Sequence, residues 1–390
     1  MFPGTQDGVM NESPQCPAET ATIPSIDRID VVVVRLPFVT PFGTSVQVWT
    51  HKEALLLRIQ SGDKVAWGEC VADPDPFYMY ETTETARHII KDFLLPLVEP
   101  GISMAELGLR FRHIRGHGMA KATIENALLC LLAVQRGIPL HILLGFPERK
   151  IQSGISIGLK ETQDELLHAV EQAVNRNYHR VKIKIKRGKD VKWVRCVRKR
   201  YPDLPLMVDA NGDFTLQDAP LLTQLDEFNL TMVEQPLSYS DIYEHSLLQS
   251  QMKTPICLDE SLLTLADVET ALALKACRVI NIKQGRVGGL LESLRMARYA
   301  AVRGFGVWSG GMDETGIGRA VNMHLQADPA FSLPGDTSET RNYFAEDIID
   351  PPVVLDPEGY ISIPEGPGLG IRVDAERLAR YTIHRQQLRP

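Results

Sequence analysis

Lys184, Asp209, Glu234, Asp259 and Lys283 follow one another at intervals of 25, 25, 25 and 24 residues. Each stands in or just after a short apolar run: VKIKIK (181–186), PLMVDAN (205–211), TMVEQP (231–236), PICLDE (255–260) and VINIKQG (279–285). Three carboxylates brought to one point repel one another unless a cation sits among them. Hard oxygen ligands on separate elements, with room for water and substrate, suit Mg²⁺ or Mn²⁺. Two amines flanking such a centre fit one reaction class, removal of a proton next to a carboxylate. The enediolate that results carries two negative charges, which a divalent ion and an ammonium offset. A lysine among cations has its pKa lowered and can act as the base. Arg286, three residues beyond Lys283, is expected either to assist that lowering or to pair with an acidic neighbour.

The elements that must hold these residues are legible between them. Helix-like stretches separate the apolar runs, among them DVKWVRCVRKR (190–200), LADVETALAL (265–274) and LLESLRMARYAAVRG (290–304). Strand and helix alternating at about 25 residues per unit is the rhythm of a parallel (β/α) barrel. The residue at the C-terminal end of each barrel strand faces a shared mouth. In VKIKIK, alternation sets Val181, Ile183 and Ile185 on one face and Lys182, Lys184 and Lys186 on the other. Lysines pointing into a barrel are costly without acid partners, and the three carboxylates supply them. The rhythm runs from GISIGL (154–159) to FSLPGD (331–336) and offers eight strand candidates. Gly285, Gly288 and Gly289 read as a turn, because no phosphate-loop pattern surrounds them.

At 390 residues the chain has room for one barrel and a smaller domain. A net charge of −7 argues against nucleic acid or an anionic membrane as partner. No apolar run approaches the ~20 residues of a membrane span. Six scattered cysteines (16, 70, 130, 196, 257, 277), with no metal-ligand spacing, read as reduced thiols of a cytosolic protein.

Residues 1–25 hold four prolines and no Lys or Arg, and read as a disordered extension. Residues 26–150 read as an α+β domain: strands at 29–36, 53–60 and 65–70, then helices near 82–96, 104–113 and 119–136. The linking stretches 37–52 and 71–81, rich in Pro, Thr and aromatics, read as long functional loops. The helix at 119–136 should stop at Gly137-Ile138-Pro139. The barrel is expected over 151–345, and the tail 346–390 should fold back on the first domain.

Taken together, these motifs resemble the enolase superfamily, within its muconate-lactonising group, over roughly residues 29–375. Lys182-Ile183-Lys184 is similar to the K-x-K of the family's second strand, which implies Lys184 as acid/base. MVDAN, VEQP and CLDES resemble the three metal-ligand strand ends, which implies Asp209, Glu234 and Asp259 as ligands of Mg²⁺, or of Mn²⁺. NIKQGRVGG resembles the sixth-strand motif, with Lys283 as the opposing acid/base. The implied fold is α/β, a (β/α)-barrel of the modified TIM type with an N-terminal α+β capping domain.

Within that group, GRVGG, GGMDETGIGRA (310–320) and SLPGDTS (332–338) resemble the o-succinylbenzoate synthase / N-succinylamino acid racemase family. WGECVADPDPFYMYE resembles its capping-domain loop, expected to close over the substrate. The likeness implies Lys182, Asn211, Arg286, Ser309, Gly310 and Met312 as substrate contacts, a small carboxylate as substrate, and a homo-oligomer. Two positions depart from that family: Gln284 stands where Pro is common, and Asp313 stands where an apolar residue is usual. Asp313 adds a carboxylate near the expected pocket. Asp336-Thr337-Ser338 lacks the Asp-x-Asp pair of dipeptide epimerases, and GVWSGG lacks the His of mandelate racemase relatives. Three alternatives stay open: another reaction of the muconate-lactonising group, a Schiff-base aldolase using a barrel lysine, or a barrel kept for binding alone.

Overall fold

Val31 to Val34 lie in one strand, and their β-branched side chains are almost wholly buried. In the computed structural model, which describes residues 16–389, that strand is β1 (Arg28–Gly43), paired antiparallel with β2 (Val48–Ser61), itself paired with β3 (Lys64–Cys70). Gly62, at φ +57°, makes the tight turn between β2 and β3. Helices α1 (Thr83–Ile89), α2 (Met104–Phe111) and α3 (Gly118–Arg136) follow. Thr82 and Ser103 cap the first two through side-chain oxygens. Helix α3 ends at Gly137 in the left-handed conformation, at the expected stop. It lies so close on β3 that a Cβ at Gly68 would stand 2.1 Å from Thr123 O.

Seven parallel strands come next: β4 (Gly154–Ile157), β5 (Arg180–Lys184), β6 (Leu206–Asp209), β7 (Val233–Glu234), β8 (Ile256–Leu258), β9 (Val279–Ile282) and β10 (Gly306–Ser309). They pair in sequence order. Between and after them run α4 (Gln163–Asn175), α5 (Val191–Arg200), α6 (Tyr243–Gln249), α7 (Leu265–Ala273), α8 (Leu290–Ala301) and α9 (Gly316–Leu325). This is the modified barrel, and the antiparallel sheet with its three helices is the cap. The last strand, β11 (Thr382–Arg389), pairs antiparallel with β1.

Two carboxylates of the cap fix it to the barrel by capping barrel helices. Glu69, on β3, accepts from Thr315 N at 2.9 Å and Gly318 N at 2.8 Å, at the start of α9. Glu125, on α3, accepts from Leu291 N at 2.9 Å, at the start of α8. Both meet the positive ends of helix dipoles. Burial still pushes each carboxyl up to about 7.

Three expectations are corrected. FSLPGD (331–336) forms no strand. Gly154 N donates to Gly335 O at 2.7 Å and Asp336 N to Ser309 O at 2.9 Å, so the segment closes the barrel as a single crossing. Pro334 has no N–H to continue a ladder. The stretch 37–52 is mostly a long hairpin arm rather than a loop, since β1 runs to Gly43 and β2 starts at Val48. The pairing shifts register between Pro37 and Phe42, so the prolines bend the arm without ending it. Of the extension at 1–25, residues 1–15 lie outside the described residues, but 16–25 are packed. Cys16, Ala18, Ala21 and Ile23 are buried, and Ile23 N donates to Ile102 O at 2.8 Å.

Candidate active site

Strand register brings the first three residues of the pattern side by side. Lys184 on β5 is the ladder partner of Asp209 on β6, and Asp209 is the partner of Glu234 on β7. Asp259 directly follows β8 and Lys283 directly follows β9. Lys184 Nζ stands 2.6 Å from Asp209 Oδ2, and Lys283 Nζ stands 2.8 Å from Asp259 Oδ2. Lys182, two residues before Lys184 and so on the same face, bridges Glu234 at 3.0 Å and Asp209 at 3.6 Å. Arg286 NH1 lies 2.6 Å from Asp259 Oδ1. Asn211 Oδ1 accepts from Lys184 at 2.7 Å, and its amide donates to Glu260 at 3.0 Å.

Each buried charge here has opposite partners, as the low dielectric demands. Burial works to strip the proton from Lys182, but Asp336, Glu234 and Asp209 hold its pKa well above the ordinary lysine value. Burial also works against ionised Asp259, but Arg286 and Lys283 hold its carboxyl well below the usual range. Glu234 goes the other way: burial and the neighbouring Asp209 push it up to about 8. Lys283 is the residue expected to be lowered by surrounding cations. Burial and Arg286 do pull it down, but Asp259, in direct contact, keeps its ammonium well above the ordinary value.

Among the described residues, no three His, Cys, Asp or Glu side chains form a ready metal cage, because lysine and arginine groups bridge the carboxylates. The donor set nonetheless fits a hard divalent cation: three buried carboxylates on neighbouring strand ends. Glu260 Oε2, beside Asp259, is buried without a hydrogen-bond partner.

A cavity lies over this cluster, between the barrel mouth and the cap. Lys182, Lys184, Asn211, Lys283 and Met312 line it from below, and Tyr78 lines it from the cap loop 71–81. Tyr78 Oη accepts from Lys283 at 2.8 Å and from Arg286 at 3.1 Å. The space open to a water-sized molecule is about 70 Å³, well below the roughly 300 Å³ of a small ligand pocket. Asp209, Glu234 and Asp259 sit beneath the wall and are fully buried. Arg286, Ser309 and Gly310 are not on the wall either. Arg286 is buried against Asp259, Ser309 Oγ is buried without a partner, and a Cβ at Gly310 would stand 2.4 Å from Asn281 Oδ1.

Sequence reading passed over Asn281, Lys52 and Asp73. Asn281 donates to Glu234 Oε1 at 2.7 Å. It is two residues before Lys283, so the alternation that exposed Lys182 points to it as well. Lys52 and Asp73 line the cavity from the cap, and no local pattern marks them.

A parallel barrel with an α+β cap, and with three successive carboxylates flanked by lysines around its mouth, is the architecture of a barrel enzyme working on a small acid. Residues 165–377 match the family described as enolase C-terminal domain-like. The chain is 46% identical to an o-succinylbenzoate synthase of Geobacillus kaustophilus, covering 90% of this chain and 92% of that one. It is 40% identical to an N-succinylamino acid racemase of an Amycolatopsis species, covering 92% and 97%. A crystal structure of an enolase-superfamily member from Listeria innocua superposes with a TM-score of 0.89 at 37% identity, covering 94% of this chain and 99% of that one. The chain belongs to the enolase superfamily, in the o-succinylbenzoate synthase / N-succinylamino acid racemase family.

Proposed function

We propose that the chain removes the proton α to a carboxylate, as an o-succinylbenzoate synthase, an N-succinylamino acid racemase, or both. The observation that carries this reading is geometric. Lys184 ends the second barrel strand and Lys283 follows the sixth, positions that are opposite in a ring of eight, and both line one cavity. A carbon held between them meets an amine on each face.

For racemisation, one neutral lysine takes the α-proton and the electron pair moves into the carboxylate. The opposing ammonium then delivers a proton to the other face, so the centre inverts with no net change in composition. For dehydration, Lys184 takes the α-proton of 2-succinyl-6-hydroxy-2,4-cyclohexadiene-1-carboxylate. The electron pair then expels hydroxide from the ring, which leaves as water once protonated, and o-succinylbenzoate remains. Lys283, held as a cation by Asp259, faces the developing negative charge. A divalent ion, Mg²⁺ by expectation, held by Asp209, Glu234 and Asp259, would supply further charge neutralisation for the enediolate and take up the carboxylate charge that now binds the lysines. The synthase activity would place the chain in menaquinone biosynthesis and in the cytoplasm. No described helix is long and apolar enough to cross a membrane.

The test is exchange and racemisation in D₂O, followed by NMR, with the two lysine variants. Lys283→Ala is expected to abolish racemisation, and Lys184→Ala to abolish both reactions. Normal turnover by Lys184→Ala would overturn the reading.

A further inference from the structure

One wall of the cavity carries charges that the proton chemistry does not use. Lys52, Asp73 and Asp313 all line it. Lys52 is buried, and its ammonium donates to Val71 O and to Asp73 Oδ1, each at 3.1 Å. Asp73 therefore answers Lys52. Asp313 adds a second negative charge near that ammonium without touching it. It sits half-buried at φ +52°, and among the described residues its carboxylate makes no hydrogen bond or ion pair. Lys52, Asp73, Glu314 and Lys184 act on it through space, and burial, against the pull of Lys52, pushes it up to about 6. The three side chains together carry one negative charge. A carboxylate facing a cavity with no hydrogen-bond or ion-pair contact of its own suits a ligand that brings the donor.

The rest of the cavity has the opposite polarity. Trp49 Nε1 and Ser156 Oγ, also on its wall, are buried without hydrogen-bond partners. Trp49 can only donate and Ser156 can donate, so both suit a carboxylate or carbonyl end of a substrate. Phe42 adds an aromatic face along which an alkyl stem or a planar cation packs.

We infer that Asp313, with Lys52 and Asp73, forms a side-chain subsite that selects substrates carrying a cationic group, as in N-succinylarginine, over those with an aliphatic one. The inference rests on the racemase reading above and specifies its substrate class. Asp313 is then a specificity-determining residue.

The test is kcat/KM for racemisation of N-succinyl-L-arginine and N-succinyl-L-leucine at pH 8, in the wild type and in Asp313→Asn. Asparagine keeps the side-chain volume and tolerates the left-handed backbone, so the variant removes charge alone. The wild type is expected to favour the arginine substrate about fivefold or more, and the variant to lose most of that preference. A smaller wild-type preference, or an unchanged ratio in Asp313→Asn, overturns the inference and leaves the racemase reading standing. Exchange with neither substrate overturns both.

Discussion

Lys182 Nζ stands 2.6 Å from Asp336 Oδ2, across the seam where the irregular segment after β10 closes the barrel. Arg180 NH1 reaches the same carboxylate at 2.8 Å. Both cations also lie 4.8 Å from the centroid of the Trp308 ring. Asp336 therefore neutralises two buried cations and holds Lys182 where it bridges Glu234 and Asp209. Burial resists its ionisation, but Lys182 and Arg180 keep its carboxyl well below the usual range.

Removing that carboxylate leaves two buried cations short of charge. Asp336→Ala is expected to lower unfolding stability by roughly 3–5 kcal/mol, the cost of breaking a buried pair. Urea unfolding followed by circular dichroism measures it. A loss under about 1 kcal/mol, typical of an exposed pair, would show that Asp336 is dispensable to the network.

Arg286 contacts Asp259 through a side-chain oxygen and the main-chain carbonyl, each at 2.6 Å. Replacing it by Met leaves that carboxylate with Lys283 at 2.8 Å and the longer contact from Tyr78 at 3.5 Å. Arg286→Met is expected to move the pH–rate profile and to lower kcat/KM by about tenfold or more. Rates and profile unchanged for every substrate would remove Arg286 from the chemistry.

A buried histidine pair makes stability pH-dependent away from the site. His141, in the one-turn helix Leu140–Leu143, faces His324 of α9 with the Nδ1 atoms 3.0 Å apart. Burial pushes His324 down to about 3 and lowers His141 too. His324 stays neutral in the fold down to about 3, whereas histidine in the unfolded chain takes up a proton below about 6.5. The sign follows: this contribution is complete above pH 6.5 and is lost as pH falls toward 3, at up to about 1.4 kcal/mol per unit for His324. Glu69 and Glu125, raised to about 7, act in the opposite direction, so the comparison must be with a variant. His324→Leu is expected to cut the proton uptake on unfolding at pH 5 by about one. An identical pH dependence in the two proteins would show that His324 titrates normally.

Local periodicity reaches much of this site. The 25-residue phase of Lys184, Asp209, Glu234, Asp259 and Lys283 survives folding because each barrel unit adds one strand end to the same rim. Alternation along VKIKIK turns Lys182 inward by the same logic. What local pattern misses is what distant packing assembles. Tyr78, Lys52 and Asp73 reach the cavity because the cap packs on the barrel, with Glu69 and Glu125 capping α9 and α8 among the contacts. FSLPGD has a strand's composition, but Pro334 and the crowded Gly335, whose Cβ would meet Gln326 at 2.2 Å, leave one crossing instead of a ladder. The direction of the Lys283 shift turns on a single contact with Asp259, which spacing alone does not resolve.

The most direct test of metal-assisted proton abstraction is kcat/KM for formation of o-succinylbenzoate, measured with Mg²⁺ and again with EDTA. The account predicts a value of about 10⁴ M⁻¹s⁻¹ or above with the metal and its collapse on chelation. Turnover that survives complete removal of divalent ions would contradict it.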